Sequence, residues 1–476
     1  MPSDLIVSVS GIRGIVGQGL TNQRVLAFAA AFGTYVAGGP VVVSRDGRPS
    51  GLMLRHVVLA GLLETGCTVH TIGIAPTPTC GLAVRRLGAA GAIQITASHN
   101  PAEWNGLKLF DKSGAVLTAA EGLQVKHLFN EASFRKVPWN LLGRPGFGFP
   151  QGRLRRGQVI QTSSFCPQAL DWHKDRILEL VDVQRIRRRG FSIFVDANGG
   201  AGGHLSMQVL NGLGCPFVLQ GGNEDGNFEH PPEPLAENLQ DILPHIPRTG
   251  AAVGFVLDPD ADRLALIDET GRYIGEELTL ALAVTFRLNQ EKGPVVINMS
   301  TSRTVEDIAR RVGVPCYRSA VGEANVAEKM REVNAVIGGE GNGGVIDPRV
   351  GHVRDPFIGM GLILNLLADT GKPLSALVAE LPAYAIVKDK ATIAPERLPQ
   401  VFTNLEKRWP KAKANRLDGL RLDWEDGWVH VRPSNTEPIV RIIAEAHTKE
   451  DARRLCQEVG KVVSGEWRIP NKLPMW

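Results

Sequence analysis

Short apolar runs rich in β-branched residues alternate with longer stretches of helical periodicity, and that alternation predicts βα units around mostly parallel sheets. In the first region PVVVSRDGR (40–48), CTVHTIG (67–73) and AAGAIQIT (89–96) read as strands, with helices over 52–64 and 78–87 between them. Pattern is lost in the Gly-, Pro- and Arg-broken stretch 135–164, which is expected to be a linker. A helix over 170–181, a basic turn RIRRRG that reads as a solvated helix end, and strands at 191–203, 215–220 and 251–258 form a second unit. The third has an apolar helix over 277–288, strands at 294–300, 314–322 and 334–340, and helices between them. Its spacing resembles that of the first unit, without a residue-level repeat. The last region, 384–476, reads as a mainly antiparallel sheet with helices at 396–408 and 449–463. The expected fold class is therefore α/β with a C-terminal α+β unit, divided as 1–150, 160–269, 270–380 and 384–476.

Composition narrows the function. At 476 residues, 43% hydrophobic and 21% charged, the chain is long and balanced enough for several packed cores. A net charge of only +4 over such a surface predicts no nucleic-acid partner. The six cysteines form no CxxC pair, so neither disulfides nor structural zinc are expected. With no signal-like N-terminus and no apolar run of spanning length, a cytoplasmic protein without a membrane partner is expected.

Four polar clusters interrupt these patterns. Directly after AAGAIQI comes Thr96-Ala-Ser98-His-Asn-Pro, leading to Lys108. At the carboxyl end of a parallel strand, Ser98 suits a covalent nucleophile with Lys108 on a returning loop to stabilise charge, although the same residues also suit a plain turn. The second cluster, Asp258-Pro-Asp260-Ala-Asp262-Arg263, sets three carboxylates at i, i+2 and i+4, a donor set for one hard cation, best magnesium. An EF-hand is excluded because Arg263 stands where its sharp turn needs Gly. The third, Gly338-Gly-Glu340-Gly-Asn342-Gly-Gly344, offers a carboxylate and an amide on closely approachable backbone, suited to sugar hydroxyls. The fourth, Arg432-Pro-Ser434-Asn435-Thr436-Glu437-Pro438, matches either a phosphate dianion or a helix cap and turn. Ser10-Gly-Ile-Arg13-Gly14 adds an arginine beside a strand, and the scattered tryptophans form no stacking array.

Taken in order, T-A-S-H-N-P, D-P-D-A-D-R, G-E-G-N-G-G and R-P-S-N-T-E-P resemble the loops of the α-D-phosphohexomutase superfamily, from residue 10 to residue 438. The resemblance implies four domains around a central cleft, one loop from each. It implies a phosphoserine at Ser98 that exchanges phosphate with a hexose phosphate through a bisphosphorylated intermediate, moving the group between the 1- and 6-positions. It further implies one magnesium ion on Ser98, Asp258, Asp260 and Asp262, and catalytic roles for Lys108, Arg13 and Arg263. Glu340 and Asn342 would bind the sugar, Arg432, Ser434, Asn435 and Thr436 the non-transferring phosphate, and a hexose 1,6-bisphosphate would act as activator. The last domain is expected to move as a lid, in a monomer or homodimer.

Many relatives have Ser at Asn342 and His at Gly344, and some have His at Glu323. The form seen here looks like that of archaeal-type phosphoglucosamine mutases, which favours glucosamine phosphate over glucose or mannose phosphate. It leaves Lys108, Glu323 and Arg13 as candidate acid and base. A metal-dependent phosphatase would leave Ser98 and the Arg432 loop unexplained, and a non-catalytic sugar-phosphate binder would have no need for Ser98 together with three aspartates.

Overall fold

A computed structural model describes residues 5–143, 166–433 and 439–465. Ser434, Asn435 and Thr436 and most of the expected linker lie outside the described residues.

Three mixed sheets share one topology. In the first, parallel strands Val41–Arg45, Val69–Ile74 and Gly91–Ile95 are followed by Trp104–Phe110, which returns antiparallel against the third of them. Strands Leu5–Ser8 and Gly11–Ile15 extend that edge. The second repeats the plan with Ile193–Asp196, Phe217–Gln220, Val253–Leu257 and the returning Leu264–Asp268. The third does so with Val295–Asn298, Cys316–Ser319, Ile337–Glu340 and the returning Gly344–Ile346. In each, the connection between the third parallel strand and its antiparallel return carries one polar cluster: 96–103, 258–263 and 341–343. The repeat invisible in residue identities is thus present in topology, and it puts three reactive loops at equivalent places.

The fourth sheet is wholly antiparallel, in the order Ala385–Thr392, Ile439–Ala446, Gly427–Pro433, Leu420–Trp424, Lys413–Asn415. Its core, where Leu405, Val429 and Val459 meet, is separate from the others. The second and third units instead share one continuous core, from Ile177 to Leu377, which Leu82 of the first unit also joins.

Two local expectations are corrected. Lys108 is not on a loop: Trp104–Phe110 is a strand of seven residues, paired on both sides, so the lysine is held rigidly. The basic stretch is a solvated helix end, as expected, but of a separate helix, Val183–Arg189, capped at its start by Asp182 and ended by Gly190 in the left-handed region at φ 63°. Two long helices escape the periodicity reading because apolar residues run round most of their circumference. Residues 356–368 of the helix Pro356–Thr370 are all buried, and Asn22–Tyr35 is packed around an Ala-rich centre, so neither shows a polar stripe. Among the described residues no helix is long and apolar enough to cross a membrane.

Candidate active site

The strand Gly91–Ile95 is buried on both faces and delivers the 96–100 loop to the cleft. Ser98 sits there at φ 52°, a left-handed conformation costing an L-residue about 1 kcal/mol and therefore maintained by its surroundings. Those surroundings are a buried polar web. Arg48, wholly buried, pairs with Asp46 at 2.9 Å and donates through Nη2 to the Ser98 carbonyl at 2.9 Å and to the Asn100 carbonyl. Asp46 in turn accepts from Thr96 Oγ1 at 2.7 Å, and Thr96 Oγ1 accepts the Ser98 N–H at 2.9 Å. The serine hydroxyl is left pointing outward, 3.2 Å from Asp258 Oδ2 and 3.2 Å from His99 Nδ1.

Asp258, Asp260 and Asp262 are fully buried, each with a carboxylate oxygen within 4.8 Å of the others'. The backbone makes this possible by turning at Ala261, φ 48°, so that Asp258 Oδ1 caps the N–H groups of Asp262 and Arg263. Asp260 is fixed through Oδ2 by Thr77 Oγ1 at 2.8 Å, at the start of the helix Thr77–Leu87. Burial and mutual repulsion raise Asp258 and Asp260 above the usual carboxylate range. Burial pushes Asp262 the same way, but Arg354, Lys108 and Arg263 outweigh it and hold that group low. Asp260 Oδ1 and Asp262 Oδ1 are buried with no hydrogen-bond partner. All-oxygen donors, mutual repulsion and unsatisfied buried oxygens fit a hard divalent cation.

A second row of charge lies behind the triad. Lys108 Nζ is 2.9 Å from both Asp262 and Glu323. Burial would lower its pKa, yet the two carboxylates raise it above the usual lysine range, so it stays a cation. Arg354 joins Asp262 (2.6 Å) to Glu340 (2.8 Å) and donates its backbone N–H to Glu323 (2.8 Å). Glu340 also accepts from Asn298 Nδ2 at 2.8 Å and from the Gly322 N–H at 3.0 Å. Of about four lone-pair positions, one is left for a ligand. Asn342 Oδ1, by contrast, is buried without a partner.

Arg13 reaches the same cleft from the strand Gly11–Ile15, with Nη1 3.3 Å from Asn100 Oδ1. Arg263 lies 3.9 Å from both Asp258 and Asp262 and 3.7 Å from Glu233, and its Nε is unsatisfied. Burial and then the charges of Arg263 and Arg13 push His99 down to about 2, so it is a neutral imidazole. Arg432 lies on the strand Gly427–Pro433 and is held by Asp418 at 3.1 Å. The same Asp418 oxygen accepts the Val321 N–H at 2.9 Å, tying the fourth sheet to the segment just before Glu323.

Burial pushes Glu277 up to about 8, with Glu445 and Glu276 acting the same way against Lys388 and the Ser302 N–H. The folded state then holds a proton that the unfolded state has released, so stability falls between about pH 4.5 and about 8 and levels off above. Glu277→Gln is expected to remove that slope: its melting temperature should gain on the wild type as pH rises from about 6 to about 8, read by thermal unfolding in parallel buffers.

Sequence reasoning missed Arg48 and Arg354. Arg48 stands in RDGRP beside its Asp46 partner and Arg354 alone in GHVRDP, but the site residues they hold, Ser98 and Asp262, are remote in sequence. The only local hint is a charged residue flanked by glycine and proline at the edge of an apolar run.

Comparison with known proteins places this geometry. Residues 4–136, 172–271 and 275–384 match "Phosphoglucomutase/phosphomannomutase, alpha/beta/alpha domain" I, II and III, and residues 384–462 match the C-terminal domain of the same description. A Methanopyrus kandleri protein named probable phosphoglucosamine mutase is 36% identical, over 95% of this chain and 96% of its own. A Thermococcus kodakarensis protein named phosphoglucomutase/phosphomannomutase is 37% identical, over 93% and 95%. The crystal structure of a phosphoglucomutase/phosphomannomutase family protein from Burkholderia thailandensis is similar at a TM-score of 0.83 and 26% identity, covering 98% of this chain and 99% of that one.

Proposed function

The chain belongs to the α-D-phosphohexomutase superfamily, in its four-domain phosphoglucomutase/phosphomannomutase family, and we propose that it interconverts glucosamine 6-phosphate and glucosamine 1-phosphate through a phosphoserine at Ser98. The observation that carries the serine assignment is the 3.2 Å approach of its hydroxyl to Asp258 in the buried triad, from a strained backbone held by Arg48.

In the first half-reaction the Ser98 Oγ–P bond breaks as a P–O bond forms to the free hydroxyl of the sugar phosphate, whose proton passes to a base while the departing Ser98 Oγ takes up a proton. The bisphosphorylated sugar turns over, and its other phosphate returns to Ser98. A magnesium ion on Asp258, Asp260 and Asp262 would neutralise charge on the transferring group. Arg263, with its unsatisfied Nε, and Arg13 supply positive charge at the serine face. Lys108 is held protonated and therefore stabilises charge rather than accepting a proton. Among Lys108, Arg13 and Glu323, only Glu323 is a carboxylate, which makes it the base. Asn342 Oδ1 offers a ready acceptor to a sugar hydroxyl or ammonium group, and Glu340 a more restricted one. Arg432, with Ser434, Asn435 and Thr436, takes the phosphate that is not being transferred.

The G-E-G-N-G-G loop and the Methanopyrus relative favour glucosamine phosphate, while the Thermococcus relative supports glucose and mannose phosphates as the second reading. A coupled assay with the three hexose 1-phosphates side by side, each with its 1,6-bisphosphate, separates them: turnover should be dominated by glucosamine. Comparable glucose and mannose turnover would favour the second reading. Chelation of divalent metal should abolish turnover, and magnesium should restore it.

A further inference from the structure

Far from the cleft, at the opposite end of the helix Thr77–Leu87, four arginines gather around a hollow of about 270 Å³. Arg85 and Arg86 come from the last turn of that helix, Arg176 from the helix Ala169–Leu180, and Arg349 from the segment that follows Gly344–Ile346. The three segments belong to the three mixed-sheet units. With a rise of about 1.5 Å per residue, the helix sets these guanidinium groups roughly 12–15 Å from Thr77 and the Asp260 it holds.

The charges in this hollow are not balanced. Its lining includes one carboxylate, Glu179, which pairs with Arg176 Nη1 at 2.8 Å. Arg349 is engaged below by Asp347, which Arg287 also faces. Arg85 is anchored by the Val350 carbonyl and Arg176 Nε by the Arg349 carbonyl at 2.9 Å, so neutral acceptors orient both without cancelling their charge. The Arg86 guanidinium makes no hydrogen bond or ion pair among the described residues. Desolvation and then repulsion from Arg176 and Arg86 lower the pKa of Arg85, with Asp355 opposing, although its side chain stays open to solvent.

We propose that this hollow is a second anion site, separate from the catalytic cleft, that binds a small oligophosphate of pyrophosphate size. Guanidinium forks bind phosphate oxygens in pairs, and the free Arg86 with Arg85, held on one nitrogen only, beside the partly engaged Arg176 and Arg349, suits more than a single phosphate. The volume admits two or three phosphoryl groups. Apart from the charged groups it is lined by Leu82 and Val350, with no aromatic face for a nucleotide base. A ligand here would also clamp three elements whose junction holds a buried chain: Thr79 Oγ1 to His173 Nδ1 at 2.8 Å, and His173 Nε2 to Asp355 Oδ2 at 2.8 Å. Asp355 adjoins Arg354, so binding stiffens the part of the frame that holds the triad from behind. The proposal does not depend on the identity of the mutase substrate.

Calorimetric titration of the full chain with pyrophosphate, at low ionic strength in magnesium-free buffer, tests it. Two classes of site are expected in the wild type. Arg432→Ala should keep the class belonging to the hollow. Arg86→Glu should weaken that class at least tenfold while leaving turnover without pyrophosphate unchanged, because Arg86 holds nothing else in place. Pyrophosphate at a hundred times its dissociation constant should raise the melting temperature by a few degrees in the wild type, and less in Arg86→Glu. Should Arg86→Glu fail to fold, Arg86→Ala serves with a smaller expected loss. An Arg86 variant whose isotherm superimposes on the wild type, or a single class of site that vanishes in Arg432→Ala, overturns the proposal. A nucleoside triphosphate binding the hollow much more tightly than pyrophosphate overturns the ligand class.

Discussion

Ser98→Ala should fold, still bind magnesium and lose mutase turnover by a factor on the order of 10⁴ or more, because the proposed mechanism makes Ser98 the covalent acceptor of the phosphoryl group. The fold should survive for a local reason. The backbone at Ser98 is held by Arg48 and Thr96 through main-chain atoms, which alanine retains, and alanine at φ 52° bears about the same strain as serine. The hydroxyl itself contributes only its contacts with Asp258 and His99. Turnover and metal content, measured on wild type and variant together, decide the matter. A metal-dependent phosphatase working through an aspartyl phosphate would keep most of its activity in this variant.

Arg354→Met should be the most destabilising single change at the site. The guanidinium is nine-tenths buried and is shared by Asp262 and Glu340, with Glu323 3.7 Å from Nε. Its pKa is raised despite burial because those carboxylates surround it. Removing one member of a buried charge network leaves the partners uncompensated, at about 3–5 kcal/mol. Lys108 would remain as the close cation on Asp262, and Glu340 would keep only Asn298 and the Gly322 N–H. Because the protein has several cores, the loss should appear as an early transition in calorimetry, from the second and third units that share one core, rather than as a uniform shift. Methionine keeps much of the volume, so an unchanged first transition would mean that the ion network contributes little.

Much of this site is legible in the sequence, for a physical reason. The topology repeats one connection three times, and at each repeat the candidate site residues lie within a few positions of one another, as Asp258, Asp260 and Asp262 do. Local clusters of charge and glycine in otherwise apolar chain stand out. The fourth cluster also stands out, but Arg432 alone of its expected phosphate ligands lies within the described residues. What orients these groups is harder to read. Arg48 acts on Ser98 fifty positions away and Arg354 on Asp262 ninety-two positions away, so no spacing rule can reveal either. The helix Pro356–Thr370, which starts beside Arg354, carries no amphipathic signal because it is surrounded by core. Lys108 was visible as a residue, but its strand was hidden by the Gly, Asn and Trp that begin it.

The central claim is that phosphate passes through Ser98. The most direct measurement is intact-mass analysis with peptide mapping after incubating the magnesium-loaded protein with a hexose 1,6-bisphosphate, followed by addition of unlabelled glucosamine 6-phosphate. A single phosphoryl group on Ser98, discharged by the sugar phosphate at a rate at least equal to turnover, is the expected result. Turnover without phosphate at Ser98, or with phosphate on one of the aspartates instead, would contradict it.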